Sequence, residues 1–136
     1  MLGFFHQTNN PRWGSPVALA EAGISFFSNT LVRILIVFGL LLIGTSFSIL
    51  AYFIRPTETP LVFHYNVYFG VDLLGAWWQT YIFSVLGIFF FLEHLLLAWY
   101  FYRRTERIAA YLLLLASGLL NLGLLIASVS VAAINY

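Results

Sequence analysis

The stretch IAAYLLLLASGLLNLGLLIASVSVAAI, residues 108–134, contains no charged side chain. A helix needs about 20 apolar residues to cross the hydrocarbon core of a bilayer, so this stretch predicts a transmembrane helix. Two further stretches meet the same requirement: residues 29–54, whose only charge is Arg33, and residues 79–102, which include one acid and one histidine. The chain is therefore predicted to cross a membrane three times.

The composition of the whole chain agrees with this prediction. Of the 136 residues, 62% are hydrophobic and 8% are charged, whereas soluble domains contain roughly 25% charged residues. The six basic residues are all arginines and are nearly balanced by five acids, so neither a basic patch for nucleic acid nor a polybasic cluster for lipid headgroups is expected. The absence of cysteine excludes disulfides and thiolate metal sites. We predict one all-α integral membrane domain over residues 1–136, whose immediate partner is the lipid bilayer.

The arginines predict how the chain is threaded. Short loops rich in arginine remain on the cytoplasmic side of a membrane. Arg12, Arg33 and the three arginines of the turn at residues 103–107 fall on one side, against Arg55 alone on the other. We therefore expect a cytoplasmic N-terminus and a C-terminus outside. The short turn also predicts that residues 79–102 and 108–134 form antiparallel neighbours.

Residues 13–28 precede the first predicted span and carry a helix signal of their own. Ser15 is a good helix cap, and Pro16 suits the first helical position. Apolar residues then recur at steps of three and four, with Glu21 on roughly the opposite side: Leu19, Ala22 and Phe26. We predict an amphipathic helix in the cytoplasmic interface. The alternatives are an extension of the first transmembrane helix or an irregular tail.

The loop at residues 55–78 is aromatic instead of hydrophilic. Its segment LVFHYNVYF, residues 61–69, favours extended backbone, and Gly70 and Gly75 are interpreted as marking the return to the second helix. Such a loop is expected to lie on the membrane surface or to pack on the helix ends, where it offers a surface for a partner. The residues predicted to form this outer-loop interaction site are His64, Tyr65, Asn66, Asp72, Trp77 and Trp78.

Part of this loop resembles a known motif. The order Pro60, then His64-Tyr65-Asn66, Gly70 and Asp72 is similar to the Pro-x-His-Phe-Asn-x-x-Gly-x-x-Asp loop of a bacterial family of multi-spanning membrane proteins of unknown function, some of them associated with toxin immunity. Here three residues separate Pro60 from His64, and three separate Asn66 from Gly70. The resemblance covers about a dozen residues. It implies a bacterial membrane protein with a structured outer loop, and it provides no catalytic residue. The expected location is the bacterial inner membrane.

Glu93 and His94 form the least expected pair in the predicted spans. Glu93 lies ten residues before Arg103, about 15 Å along a helix, which places it near the middle of the bilayer. An acid at this depth is a functional candidate by default, although a neutral carboxyl bonded to another helix would satisfy the same energetics. Neighbouring residues on a helix point about 100° apart, so the two side chains are not expected to bond each other.

His94 belongs to a stripe of mostly small residues suited to close helix contact: Ser84, Gly87, Phe91, His94 and Ala98. The antiparallel turn brings the depth of Glu93 and His94 level with Ser117 and Gly118, and we predict Ser117 or Asn121 as the hydrogen-bond partner of His94. Glu93 is then expected to face the edge of the bundle. Further polar or small residues are predicted near this layer: Gly44, Thr45, Ser46, Ser48 and Ser128. These residues also fit ordinary helix packing.

Three functions remain open from the sequence. The first is a structural or accessory subunit of a larger membrane assembly, with other membrane subunits or self-association through Glu93. The second is a proton- or ion-linked membrane component in which Glu93 titrates, with His94 and Asn121 as polar surroundings. The third is binding of haem or chlorophyll through His94. No enzyme is expected, because the sequence lacks the His-Glu-x-x-His, Gly-x-Ser-x-Gly and phosphate-loop motifs. No metal site is expected either, because the threading separates His6 from His64.

Overall fold

The computed structural model describes residues 25–68 and 70–136. Within them the order of elements is helix α1 (Thr30–Phe53), strands β1 (Leu61–Asn66) and β2 (Gly70–Gly75), a 3₁₀ turn (Trp77–Tyr81), and helices α2 (Ile82–Arg103) and α3 (Arg107–Asn135). All three long helices are apolar and long enough to cross a membrane. The prediction of a mostly helical membrane protein with three spans is confirmed.

Local chemistry sets where α1 begins and ends. The side chain of Asn29 caps the helix by accepting a hydrogen bond from the backbone N–H of Val32 at 3.2 Å. The helix stops before Arg55, because the proline at position 56 disfavours helical backbone in the residue before it. The predicted interfacial helix over residues 13–28 lies outside the described residues except for 25–28, which are helical.

The turn between α2 and α3 reverses the chain within three residues, 104–106. Thr105 adopts a left-handed backbone with φ of 67°, which lets the N–H of Glu106 donate to the carbonyl of Phe101 at 3.0 Å. α2 and α3 are antiparallel neighbours, as the short turn predicts. We call the end of the bundle that carries this turn the turn end. The opposite end, which carries strands β1 and β2, is called the hairpin end.

Close packing along α2 follows a stripe with helical spacing. The residues of α2 that are buried are Ser84, Gly87, Phe91, Ala98 and Tyr102. A glycine on α1 allows close contact with this stripe: a Cβ at Gly39 would lie 2.8 Å from the ring of Phe91. At the turn end, Phe26, Val32 and Leu114 join Ala98 and Tyr102 in the main apolar cluster. The predicted packing stripe is confirmed, except that His94 is only half-buried.

The aromatic outer loop is a β-hairpin. The prediction of extended backbone is confirmed for Leu61–Asn66, but the interpretation of Gly70 and Gly75 as a return to helix is wrong, since Gly70–Gly75 pairs with β1 as an antiparallel strand. A second strand satisfies the backbone polar groups that an isolated extended segment would leave unpaired. Gly70 begins this strand at φ of 78°, a conformation that favours glycine.

Candidate intramembrane site

Three serines, one from each helix, form a hydrogen-bonded chain inside the bundle. Ser46 Oγ lies 2.7 Å from Ser128 Oγ and 3.2 Å from Ser84 Oγ, and each of the three side chains is at most 3% exposed. Ser128 donates its single hydroxyl hydrogen to the carbonyl of Leu124. Ser46 must therefore donate to Ser128, and Ser84 to Ser46. We call these three residues the serine chain; every hydroxyl hydrogen in it has an acceptor.

A second polar layer lies next to the serine chain, toward the turn end. Asn121 donates from Nδ2 to the carbonyl of Ser117 at 3.0 Å, and its Oδ1 would lie 2.6 Å from a Cβ placed at Gly87. Ser117 Oγ is buried without a hydrogen-bond partner within the described part of the chain. Only a glycine at position 87 leaves room for the amide of Asn121, so this layer depends on close approach of α2 and α3.

His94 does not bond to Ser117 or Asn121, so that prediction is wrong. Its Nδ1 instead lies 2.8 Å from the carbonyl oxygen of Phe90, one turn earlier in the same helix. The nearest acceptor for a side chain on a helix is often the carbonyl four residues before it, which needs no help from a neighbouring helix. Because a carbonyl only accepts, Nδ1 carries a hydrogen, which leaves Nε2 as the ring nitrogen that could act as a ligand.

Glu93 lies on the exposed surface of α2, as its spacing predicts. Its neighbours on that surface are apolar: Phe89, Leu92 and Leu96 are 60%, 50% and 64% exposed. Among residues 25–68 and 70–136, Glu93 makes no hydrogen bond or ion pair. The predicted intramembrane residues therefore differ in burial: Ser117 and Asn121 lie in the interior, His94 is half-buried, and Glu93 faces outward.

The predicted outer-loop residues are spread over the hairpin and the 3₁₀ turn. His64 is exposed in β1, Trp77 is half-buried, and Trp78 is 59% exposed. The side chains of Tyr65, Asn66 and Asp72 lie outside the described part of the structure. No group of three potential metal ligands occurs among the described residues.

Two features of the site were missed by the sequence analysis. The first is the serine chain. Helical spacing puts Ser84 on the packing stripe of α2 and Ser46 and Ser128 near the same layer, but it does not predict that the three side chains are in contact. The other is Asn135, whose amide accepts from the backbone N–H of Val62 at 2.8 Å and donates to the Val62 carbonyl at 2.7 Å. This pair of bonds attaches the hairpin to the end of α3. A polar residue near the end of an apolar helix was the only signal for it.

Comparison with known proteins identifies no relative: no family model, curated protein or solved structure matches the chain. The function must therefore be inferred from the geometry of its own residues.

Proposed function

We propose that this chain is a structural or accessory subunit of a larger membrane assembly, and that the surface around Glu93 contacts another membrane protein chain or a second copy of this one. The observation that supports the proposal is the position of Glu93: exposed, near the middle of a spanning helix, and without a partner among the described residues.

The energetic reason is the environment of that carboxyl group. Glu93 lies 11 residues after Ile82 and ten before Arg103, about 15 Å from each end of α2. An ionised acidic side chain at this depth costs about 2.5 to 3.5 kcal/mol on insertion scales, and such residues usually face protein or water and pair with another group. The apolar neighbours of Glu93 on α2 provide no such group, so a second chain is the natural source of a hydrogen-bond partner.

The interior of the bundle supports the same proposal. The serine chain satisfies its own hydroxyls, and it lies on the buried side of α2, away from the surface that carries Glu93. The polar interior of the bundle holds the helices together, and the exposed carboxyl group is left for contact with another molecule.

We further propose that the turn end is cytoplasmic and that the membrane is a bacterial inner membrane. Of the five arginines among the described residues, Arg33, Arg103, Arg104 and Arg107 lie at the turn end and Arg55 at the hairpin end. That asymmetry supports the orientation by the positive-inside rule. The bacterial assignment depends on the resemblance of the loop motif.

The proposal is tested by extracting the full chain from its native membrane in a mild detergent and identifying the proteins that co-purify. Glu93→Leu should abolish recovery of the partner or of the oligomer, and Glu93→Gln should retain part of it, because an amide still forms hydrogen bonds. Glu58→Gln is the matched control, since it removes an acid from the loop outside the helices. The proposal would be contradicted if the protein is strictly monomeric and Glu93→Leu changes neither its elution nor its stability. Proton flux in liposomes that is lost in Glu93→Gln would favour the ion-linked function instead.

A second candidate function is axial ligation of haem or chlorophyll by His94. The hydrogen bond from Nδ1 to the Phe90 carbonyl favours it, because metal-ligating histidines typically donate their other ring N–H to such an acceptor. Nε2 makes no hydrogen bond among the described residues. Visible absorption of protein purified from its native host tests this function. A pigment band lost in His94→Leu would support it, and a colourless preparation would contradict it.

A further inference from the structure

A groove on the surface of α1 runs from a charged residue into apolar side chains. It has a volume of about 500 Å³ and is lined by Thr30, Arg33, Ile34, Val37, Phe38 and Leu41. All six residues lie on one side of α1 at steps of three and four. We call it the Arg33 groove; it is polar at the turn end and apolar toward the middle of the membrane.

The guanidinium of Arg33 is available to an anion. Arg33 is exposed, and its one contact among the described residues is a long hydrogen bond of 3.5 Å from Nη2 to Thr30 Oγ1. A guanidinium has five N–H donors, so most of its donors lack a protein acceptor in this part of the chain. The contact with Thr30 holds the guanidinium toward the start of α1, where the positive end of the helix dipole also favours an anion.

Other arginines at the turn end add positive charge to that of Arg33. Arg103, Arg104 and Arg107 lie at the same end of the bundle, and each places its guanidinium over an aromatic ring, at distances of 4.4 to 5.5 Å. Against these four arginines the described residues of the turn end contain one acid, Glu106, which gives a net charge of +3. Negatively charged headgroups are attracted to such a surface by roughly 1 kcal/mol per arginine.

The length of the groove indicates what kind of molecule would fill it. From Thr30 to Leu41 the helix advances 11 residues, about 16 Å, which is about half of the roughly 30 Å hydrocarbon core. The apolar part is open to the bilayer, with Ile34, Val37 and Leu41 between 54% and 64% exposed. A groove that spans one leaflet, with a cation at the headgroup level, matches a single lipid molecule better than a helix that spans both leaflets.

We propose that the Arg33 groove binds an anionic phospholipid, with the phosphate on the guanidinium of Arg33 and one acyl chain along Ile34, Val37 and Leu41. This site is separate from the surface around Glu93. The ligand is recognised by two properties together, a negative phosphate and an attached apolar chain. The neighbouring arginines of the turn end attract the negative headgroup, and the groove determines where the acyl chain lies.

Lipid binding to the full chain in detergent, measured by native mass spectrometry, tests the proposal. The probes are phosphatidylglycerol and phosphatidylcholine with identical acyl chains. We expect phosphatidylglycerol to bind more tightly, and Arg33→Gln to weaken it about fivefold, the ratio that corresponds to one arginine near a membrane surface. Arg55→Gln removes the same charge at the hairpin end and should leave binding unchanged. Val37→Trp, which fills the groove at an exposed position, should weaken binding of both lipids.

Four outcomes would overturn the proposal. Equal binding of the two lipids would mean that no headgroup is recognised. Equal losses in Arg33→Gln and Arg55→Gln would indicate general attraction by net charge. Displacement of phosphatidylglycerol by glycerol phosphate at equal concentration would indicate a site for the free anion, without any role for the groove. If Arg33→Gln removes a co-purifying protein and leaves lipid binding intact, the partner of Arg33 is an acidic side chain of another chain and the proposal is wrong.

Discussion

Ser46→Ala should destabilise the three-helix bundle, because Ser46 is the central member of the serine chain. It accepts a hydrogen bond from Ser84 and donates one to Ser128, at 3.2 and 2.7 Å. Interhelical hydrogen bonds in membranes contribute about 0.6 kcal/mol each on average, with a maximum near 1.7 kcal/mol. Loss of both bonds is therefore expected to lower the free energy of unfolding by about 1.2 kcal/mol. Ser128 keeps its bond to Leu124, which limits the loss.

Two other serine substitutions are the matched controls for this prediction. Ser48 is exposed on the same helix and donates within it to the Gly44 carbonyl, so Ser48→Ala should change the stability by less than about 0.5 kcal/mol. Ser117 Oγ is buried without a partner in the described residues. Ser117→Ala removes a polar group that gains nothing from burial, so it should leave the stability unchanged or raise it by about 1 kcal/mol.

The three variants are compared by titrating the purified chain with sodium dodecyl sulfate in mixed micelles and following tryptophan fluorescence and helix content. The expected order of stability is Ser117→Ala at or above the native chain, Ser48→Ala close to it, and Ser46→Ala below it. Equal effects of Ser46→Ala and Ser48→Ala would refute the reasoning, since they would show that contact between hydroxyls of different helices contributes nothing beyond an intrahelical bond.

Three further predictions concern other parts of the fold. Asn135→Ala should loosen the hairpin, because two hydrogen bonds to Val62 are lost; hydrogen exchange at the Val62 amide should accelerate about tenfold or more, and an unchanged rate would count against this anchor. Thr105→Gly should raise the free energy of unfolding by up to about 1 kcal/mol, because φ at this position is 67°; a loss in the same detergent titration would contradict it. Gly87→Ala should cost about 1 to 3 kcal/mol, since its Cβ would lie 2.6 Å from an amide oxygen of α3, whereas Gly123→Ala, with nothing within 4 Å of its Cβ, should cost nothing.

The interior and the surface of this bundle use polar residues in different ways. Inside, the hydroxyl hydrogens of Ser46, Ser84 and Ser128 are accepted by one another and by the Leu124 carbonyl, whereas Ser117 Oγ has no partner among the described residues. On the surface, Glu93 and Arg33 lack ion-pair partners among the described residues. They lie on different helices and at different depths. A protein-facing contact at Glu93 and a lipid-facing contact at Arg33 can therefore be tested independently.

Some of the site followed from helical periodicity alone. Ser84, Gly87, Phe91 and Ala98 were predicted to face a neighbouring helix, and all four are buried. Glu93, about 100° around the helix, was predicted to face the edge of the bundle and is exposed. These predictions succeed because the direction of a side chain on a regular helix depends only on its position in the sequence.

The hydrogen-bond partners did not follow from periodicity. His94 was predicted to bond Ser117 or Asn121, but its ring bonds to the Phe90 carbonyl. Depth and stripe position bring two residues to the same layer, while a hydrogen bond requires donor and acceptor within about 3 Å in the right direction. The rotation of each helix and the rotamer of each side chain decide that distance, and both result from packing across the whole bundle.

The sequence by itself determined that this is a membrane protein with three spanning helices, where each helix begins and ends to within about three residues, and which faces of α2 are buried. Those properties depend on local composition, length and the 3.6-residue repeat. Only the tertiary structure decided that Ser46, Ser84 and Ser128 meet, that Gly70–Gly75 pairs with β1, and that Asn135 attaches the hairpin to α3. Each of these contacts joins residues far apart in the chain, and its formation depends on how the helices settle against one another.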